Sequence, residues 1–211
     1  RGNYRSDMES NLLDSEITAM FSIRFHNSSS LTAGLQRENE YIPYDWEVRE
    51  DYVIPEARYD GYDVFLNFRG DQSKNISPRF NLNYGTYYTG TNLRASTNLT
   101  VTSIPRLRLE MNYSHNLVNM PQGEFRTNTV GVRSFYFFNT RLFVKAYIQL
   151  NDDKLYYDGR QKMVNNIMLR WIYSPGSNLY LVYNDQRMLA ANAGELQNRS
   201  IMLKSTFFWR K

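Results

Sequence analysis

From about residue 16 to its end, the chain alternates apolar and polar side chains with a period of two. The plainest case is Arg106-Leu107-Arg108-Leu109-Glu110-Met111-Asn112-Tyr113, where Leu107, Leu109, Met111 and Tyr113 share one parity and Arg108, Glu110 and Asn112 the other. Successive strand side chains point to opposite faces, so a strand gives this segment one oily side and one charged side. A helix would mix the two all round and leave no face to bury. The same parity runs through Ile17, Ala19, Phe21, Ile23 and Phe25, and through Val64, Leu66 and Phe68. It returns in Phe80, Leu82 and Tyr84, in Leu93, Ala95, Thr97, Leu99 and Val101, in Leu142, Val144, Ala146, Ile148 and Leu150, and in Ile167, Leu169, Trp171 and Tyr173. The pattern predicts about eleven strands of roughly nine to thirteen residues, the length a tilted strand needs to cross a bilayer. Strands of soluble folds run nearer five or six residues.

The connections carry a second signal. Asn27-Ser28-Ser29-Ser30, Ile104-Pro105, Asn139-Thr140 and Ser174-Pro175-Gly176-Ser177 have the Pro, Gly, Asn and Ser content of tight turns. Longer connections are predicted at residues 41–61, 117–124, 151–162 and 188–197. Short and long connections that roughly alternate are the pattern of outer-membrane barrels. A soluble sandwich or barrel would also alternate along its strands, but with shorter strands and an apolar interior. The expected fold is therefore all-β, an antiparallel transmembrane β-barrel of eleven or twelve strands, whole or part of a larger barrel. Residues 1–13 are expected as a lead-in or partial strand and residues 14–211 as the barrel strands.

Composition sharpens this picture. Aromatic residues make up 15% of the chain, with 17 Tyr and 12 Phe, yet mean hydropathy is −0.59. No stretch approaches the ~20 consecutive apolar residues of a transmembrane helix. Strands with one face toward lipid and one toward water reconcile abundant rings with a polar average. The 25 basic residues are scattered among 21 acidic ones, for a net charge of +4. No phosphate-binding stripe emerges, so nucleic acid is not an expected partner. With no cysteine, disulfides, thiol catalysis and cysteine-ligated metals are excluded. The chain opens at Arg1 with no charged-then-apolar leader before it, as expected of a mature chain or of the tail of a longer one.

The final segment, Ile201-Met202-Leu203-Lys204-Ser205-Thr206-Phe207-Phe208-Trp209-Arg210-Lys211, places Ile201, Leu203, Phe207 and Trp209 on one face. It resembles the terminal strand recognised by barrel-assembly machineries, but ends on Arg210 and Lys211 rather than on an aromatic. A more specific stretch runs from Leu169-Arg170-Trp171-Ile172-Tyr173-Ser174-Pro175-Gly176 through Ser177-Asn178-Leu179-Tyr180-Leu181-Val182-Tyr183-Asn184. It resembles the penultimate hairpin of an uncharacterised outer-membrane family common in Bacteroidetes, in which a carbohydrate-binding-module-family-9-like domain precedes a C-terminal barrel. The resemblance is sharp over residues 163–187 and loose over the other strands. It implies a porin-like barrel and, upstream of it, a carbohydrate-binding-like domain to which nothing in this chain corresponds.

Catalytic constellations are sparse. A barrel hydrolase acting on lipid needs a nucleophile within hydrogen-bonding reach of its base, but His115 and its neighbour Ser114 fall on opposite parities; His26, the other histidine, sits at a strand end. The acidic loop Asn151-Asp152-Asp153-Lys154 lacks the spaced oxygen ligands and glycine of a calcium loop. No cofactor and no metal are expected. The polar parity supplies a predicted lumen lining of Arg24, Glu38, Asn67, Arg69, Asn81, Asn83, Arg94, Arg108, Glu110, Arg133, Lys145, Arg170 and Lys204, which internal salt bridges would fill or which would wall a conduit. If the chain ends in the periplasm, strand counting puts Pro175-Gly176 on that side and 41–61, 151–162 and 188–197 outside. The 41–61 loop then offers Tyr44, Asp45, Trp46 and Tyr52, with Tyr41, Tyr59, Glu47, Glu50 and Asp51 beside them, to a glycan, a partner protein or the barrel mouth.

These readings predict a non-enzymatic protein of the bacterial outer membrane, acting as a channel, a docking platform or a structural partner in an envelope complex. Outer-membrane lipid and lipopolysaccharide are the expected surroundings, with envelope proteins or a glycan as further partners. Two alternatives stand beside it: the last strands of a TonB-dependent transporter, and the barrel of a glycan- or lipid-hydrolysing envelope enzyme.

Overall fold

The structure is a computed structural model describing residues 2–6, 12–49, 52–153, 157, 159–190 and 193–209. Among the described residues there are fourteen strands and no helix. They are β1 (Gly2–Ser6), β2 (Leu12–Arg24), β3 (Ser30–Ile42), β4 (Trp46–Arg49), β5 (Tyr52–Ile54), β6 (Ala57–Arg69), β7 (Ile76–Tyr87), β8 (Gly90–Val101), β9 (Leu107–Met120), β10 (Gly123–Phe137), β11 (Leu142–Asn151), β12 (Gln161–Ser174), β13 (Ser177–Ala190) and β14 (Ala193–Thr206). Twelve of them form one sheet in the order β1-β2-β3-β6-β7-β8-β9-β10-β11-β12-β13-β14, while β4 and β5 pair only with each other. The class is all-β and antiparallel, a meander in which each strand of the main sheet hydrogen-bonds to the next in that order, β3 to β6 across the β4–β5 hairpin. Twelve strands are thus present in the main sheet, β1 included. By its internal packing the chain divides into two units: unit 1 comprises residues 1–71, 79–96 and 115–126, and unit 2 residues 72–78, 97–114 and 127–211.

Register, rather than propensity, aligns the apolar face of each unit. In unit 1, Ala19, Phe21 and Ile23 of β2 pair with Leu35, Ala33 and Leu31 of β3. Those three pair in turn with Val64, Leu66 and Phe68 of β6, which pair with Tyr84, Leu82 and Phe80 of β7. In unit 2, Tyr136 of β10 pairs with Val144, Val144 with Leu169, Leu169 with Leu181 and Leu181 with Leu203. A slip of one residue anywhere would turn a whole strand over, so a register this continuous must be favoured by the surroundings of that face.

The described residues leave much of that face open. Phe21 is 68% exposed, Val64 58% and Ile201 71%. The only buried hydrophobic side chains among the described residues are Ile42, Ile54, Val118, Met120 and Phe125, all in unit 1. A soluble sandwich does the opposite, placing its Leu, Ile and Phe between layers.

The hairpin at Pro175-Gly176 forms as its sequence demands. Gly176 has φ +79°, the left-handed conformation that a turn with Pro at its second position asks of its third. Phe208 packs where a side chain on Gly176 would go, and its backbone N–H donates to Ser177 Oγ at 3.0 Å.

Two predicted loops are corrected. Residues 117–124 are not a long loop: β9 continues to Met120 and β10 starts at Gly123. Likewise 188–197 is largely strand, with β13 reaching Ala190 and β14 starting at Ala193; residues 191–192 lie outside the described residues. Polarity misled in both places, because a strand that passes beyond an apolar slab loses its oily residues without losing its hydrogen-bonded ladder. Long connections remain at 43–56 and 152–160, so the regular alternation of short and long does not hold.

Candidate functional site

The 41–61 segment is shorter and more ordered than a free loop. β3 extends through Ile42 and β6 begins at Ala57, and between them β4 and β5 form a hairpin in which Trp46 pairs with Ile54 and Glu47 with Val53. The hairpin docks in unit 1 through Ile54, which is fully buried with Val118, Met120 and Phe125; Val48, Tyr52, Tyr59, Tyr87 and Tyr88 pack around them. Tyr52 meets Phe125 edge-on at 5.2 Å between ring centroids, and Trp46 meets Tyr88 at 6.0 Å. Gln122 Nε2 donates to the Val53 carbonyl at 3.0 Å. At the hairpin base, Glu56 N–H donates to Asp45 Oδ1 at 2.8 Å, and Tyr41 Oη to Glu56 Oε1 at 2.9 Å. Val118 and Met120 have the parity of Asn112 in β9, and Tyr59 that of Asp63 in β6. The hairpin therefore covers the polar face of these strands, not the apolar one.

Against it lies a cavity of about 130 Å³ lined by Glu38, Glu40, Tyr59, Asp63, Tyr88 and Arg94 among others. Its floor is acidic in an unusual way. Glu16 lies directly across from Glu38, and Asp14 across from Glu40; like charges in opposed positions destabilise a sheet. Part of the charge is taken up by hydroxyls: Tyr88 Oη donates to Glu40 Oε2 at 3.0 Å and Thr18 Oγ1 to Glu16 Oε1 at 3.1 Å. Tyr88 stands in the β7–β8 turn with φ +50°. Burial, and then Glu40, push its phenol pKa well above the ordinary value, so the phenol stays protonated and serves as a donor.

Unit 2 presents a polar face of different chemistry. Glu110 bridges Arg108 at 2.8 Å and Arg133 at 3.2 Å. Cations there lie over rings: Arg133 over Tyr147, Lys145 over Phe135, and Arg170 over both Phe143 and Tyr180, at 5.1–5.8 Å. Arg170 also donates from Nε and Nη2 to Asn178 Oδ1 at 3.1 and 3.0 Å.

The predicted lining residues fall on these polar faces. In unit 1, Arg24 and Arg69 flank Ser30 across the sheet, Asn67 pairs with Asn81, and Asn83 lies beside Phe65. Asn81 donates to Ser96 Oγ at 3.0 Å, Glu38 and Arg94 share the cavity wall, and in unit 2 Lys204 pairs with Tyr180. Of the predicted loop residues, Asp45, Trp46 and Tyr52 are tied into the hairpin, whereas Tyr44 is 65% exposed. Glu50, Asp51, Lys154, Arg210 and Lys211 lie outside the described residues. Asp153 accepts from Thr127 Oγ1 at 3.1 Å, and no group of three metal-binding side chains occurs among the described residues. Sequence reasoning missed Val118, Met120, Phe125 and Tyr88. The available signal was that Val118 and Met120 are apolar on the polar parity.

No family model matches the chain, and no curated protein sequence matches it. Among solved structures it is similar to the NanC porin in a rhombohedral crystal form, with 11% identity and a TM-score of 0.43 over 99% of this chain and 97% of that one. It is also similar to the KdgM porin, at 11% identity and a TM-score of 0.34 over 82% of this chain and 85% of that one. A KdgM porin in complex with disordered oligogalacturonate gives the same identity and TM-score.

Proposed function

We propose that this chain is a membrane-spanning β-barrel of the bacterial outer membrane and a conduit for polar solutes, with its mouth narrowed by the β4–β5 hairpin. One observation carries the reading: long antiparallel strands are registered so that their hydrocarbon lies on one exposed face and their charges on the other. Such a face is stable against lipid, and the charged face then lines water. Aromatic side chains bound the apolar band, with Tyr62 and Tyr183 toward the 43–56 and 152–160 ends of their own strands and Phe80 and Trp171 toward the opposite ends, as interfacial belts do. Reconstitution into planar bilayers tests the proposal. Stepwise ionic conductance is expected; a detergent-folded chain that inserts without conducting would leave a membrane scaffold and remove the conduit.

A further inference from the structure

We propose that Arg187 and Arg199, held together by the buried carboxylate of Asp185, bind the phosphate of a membrane lipid at the edge of the apolar band. The inference rests on the membrane reading above and adds a binding site to it. Asp185 follows Leu179, Leu181 and Tyr183 on the apolar parity of β13 and pairs with Asn165 of β12 and Arg199 of β14. The cluster thus lies past Leu181 and Tyr183 on the side of the 152–160 loop, with Leu196 opposite Arg187 on the same face.

Its geometry is that of a prepared anion fork. Asp185 is 2% exposed. Arg187 grips it with Nε on Oδ1 at 2.6 Å and Nη2 on Oδ2 at 3.2 Å. Arg199 places Nε and Nη2 on Oδ2 at 3.0 and 2.9 Å, and Tyr183 Oη adds a donor at 3.1 Å. One carboxylate against two guanidiniums leaves a net positive charge. A guanidinium carries five N–H donors in a fixed plane, so each arginine keeps N–H groups beyond those directed at Asp185. Both arginine side chains remain partly exposed, at 38% and 45%. An irregularity between Gln186 and Arg187, opposite Asn198 and Leu196, sits beside the cluster, where bulges re-aim side chains.

The same composition recurs independently in unit 1. Arg37, Arg58, Asn39 and Asp60 lie on the apolar parity of β3 and β6, just beyond Leu35 and Val64, and help to line a cleft of about 340 Å³. There Arg37 pairs with Asp60 at 3.2 Å, Asn39 Nδ2 donates to Asp60 at 3.0 Å, and Arg37 and Arg58 stand over the rings of Tyr62 and Tyr41. Arg58 there donates to Asn39 Oδ1 at 2.6 Å, so two arginines again stand around one carboxylate and its amide neighbour. A dissolved anion gains nothing from the shelf of Leu179, Leu181, Ile201 and Leu203 beside the fork. A lipid sets its acyl chain on that shelf and brings its phosphate to the arginines, in reach of charge-assisted bidentate hydrogen bonds.

The test uses the full chain folded in neutral detergent, offered phosphatidic acid and phosphatidylcholine at equal concentration, with retained lipid counted by native mass spectrometry. The expected result is a preference for phosphatidic acid of about tenfold, unaffected by millimolar inorganic phosphate. The Arg187→Gln/Arg199→Gln variant should retain one phosphatidic acid fewer per chain, with Arg199→Lys between it and the unmodified chain. Equal retention of the two lipids by the unmodified chain, displacement by inorganic phosphate, or an unchanged count in the double variant would each overturn the proposal. Flotation with phosphatidylcholine vesicles separates the two levels. A chain that floats but shows no preference defeats the lipid site alone, and one that fails to float defeats the membrane reading beneath it.

Discussion

The polar faces of the two units hold their charges in different ways. In unit 1, Asp14, Glu16, Glu38, Glu40 and Asp63 gather on β2, β3 and β6 near the hairpin, two pairs of them directly opposed, with Arg5 on Asp14 and Arg94 on the cavity wall, while Arg24, Arg69 and Arg79 stand at the other end of the same face. In unit 2, Arg108, Arg133, Lys145, Arg170 and Lys204 dominate, with Glu110 among them, and rings rather than carboxylates are their usual partners. Opposed unlike charges favour a sheet and like charges do not, so the directly opposed acids of unit 1 cost stability. The proposed conduit gives a reason: the acidic cluster offers a passing solute a charge to meet.

The largest effect should come from the hairpin, which distinguishes unit 1. Ile54→Asp buries a charge among Val118, Met120 and Phe125, a change of about 3–5 kcal/mol against docking. The strands should stay folded, because the sheet does not depend on β4 or β5. Single-channel conductance should rise, and protease should cut within 43–56. Unchanged conductance with a cleaved hairpin would show that the hairpin does not narrow the path.

Charge selectivity sharpens the comparison next. Glu38→Gln should move the reversal potential in a salt gradient toward anion preference, and Arg133→Gln toward cation preference, each by about twofold in permeability ratio. No shift from one of the two would mean that its side chain does not face the solute.

The smallest effect belongs to Tyr88. Tyr88→Phe removes the hydrogen bond to Glu40, worth about 1 kcal/mol, and should lower the denaturant midpoint slightly. Because the phenol pKa is raised on folding, this contribution is complete below the ordinary tyrosine range near pH 10 and is lost as the pH climbs through the raised value. The difference between the two proteins should therefore be constant across neutral pH and vanish only in strong alkali.

Much of this was legible in the sequence. The run from Leu107 to Tyr113 announces both faces of β9, and Pro175-Gly176 announces its turn, because side-chain parity and turn chemistry are local properties. The hairpin's docking was not legible. Rings and acids in 41–61 suit exposure and packing equally, and the choice is made by Val118, Met120 and Phe125, about seventy residues further on. The arginine fork was hidden for another reason. The irregularity in β14 shifts its alternation, so Leu196 and Arg199, of opposite parity, both face the same way as Asp185 and Arg187. That break made 188–197 read as a polar loop.

The central claim is that the apolar parity meets lipid and the polar parity meets water. The absence of cysteine permits a direct measurement with single substitutions at adjacent positions of β6, Asp63→Cys and Val64→Cys. Each is reconstituted in phosphatidylcholine vesicles and exposed to a membrane-impermeant maleimide. The account predicts rapid labelling of Asp63→Cys and protection of Val64→Cys until the vesicles are dissolved and the protein unfolded. Rapid labelling of Val64→Cys with protection of Asp63→Cys would contradict it.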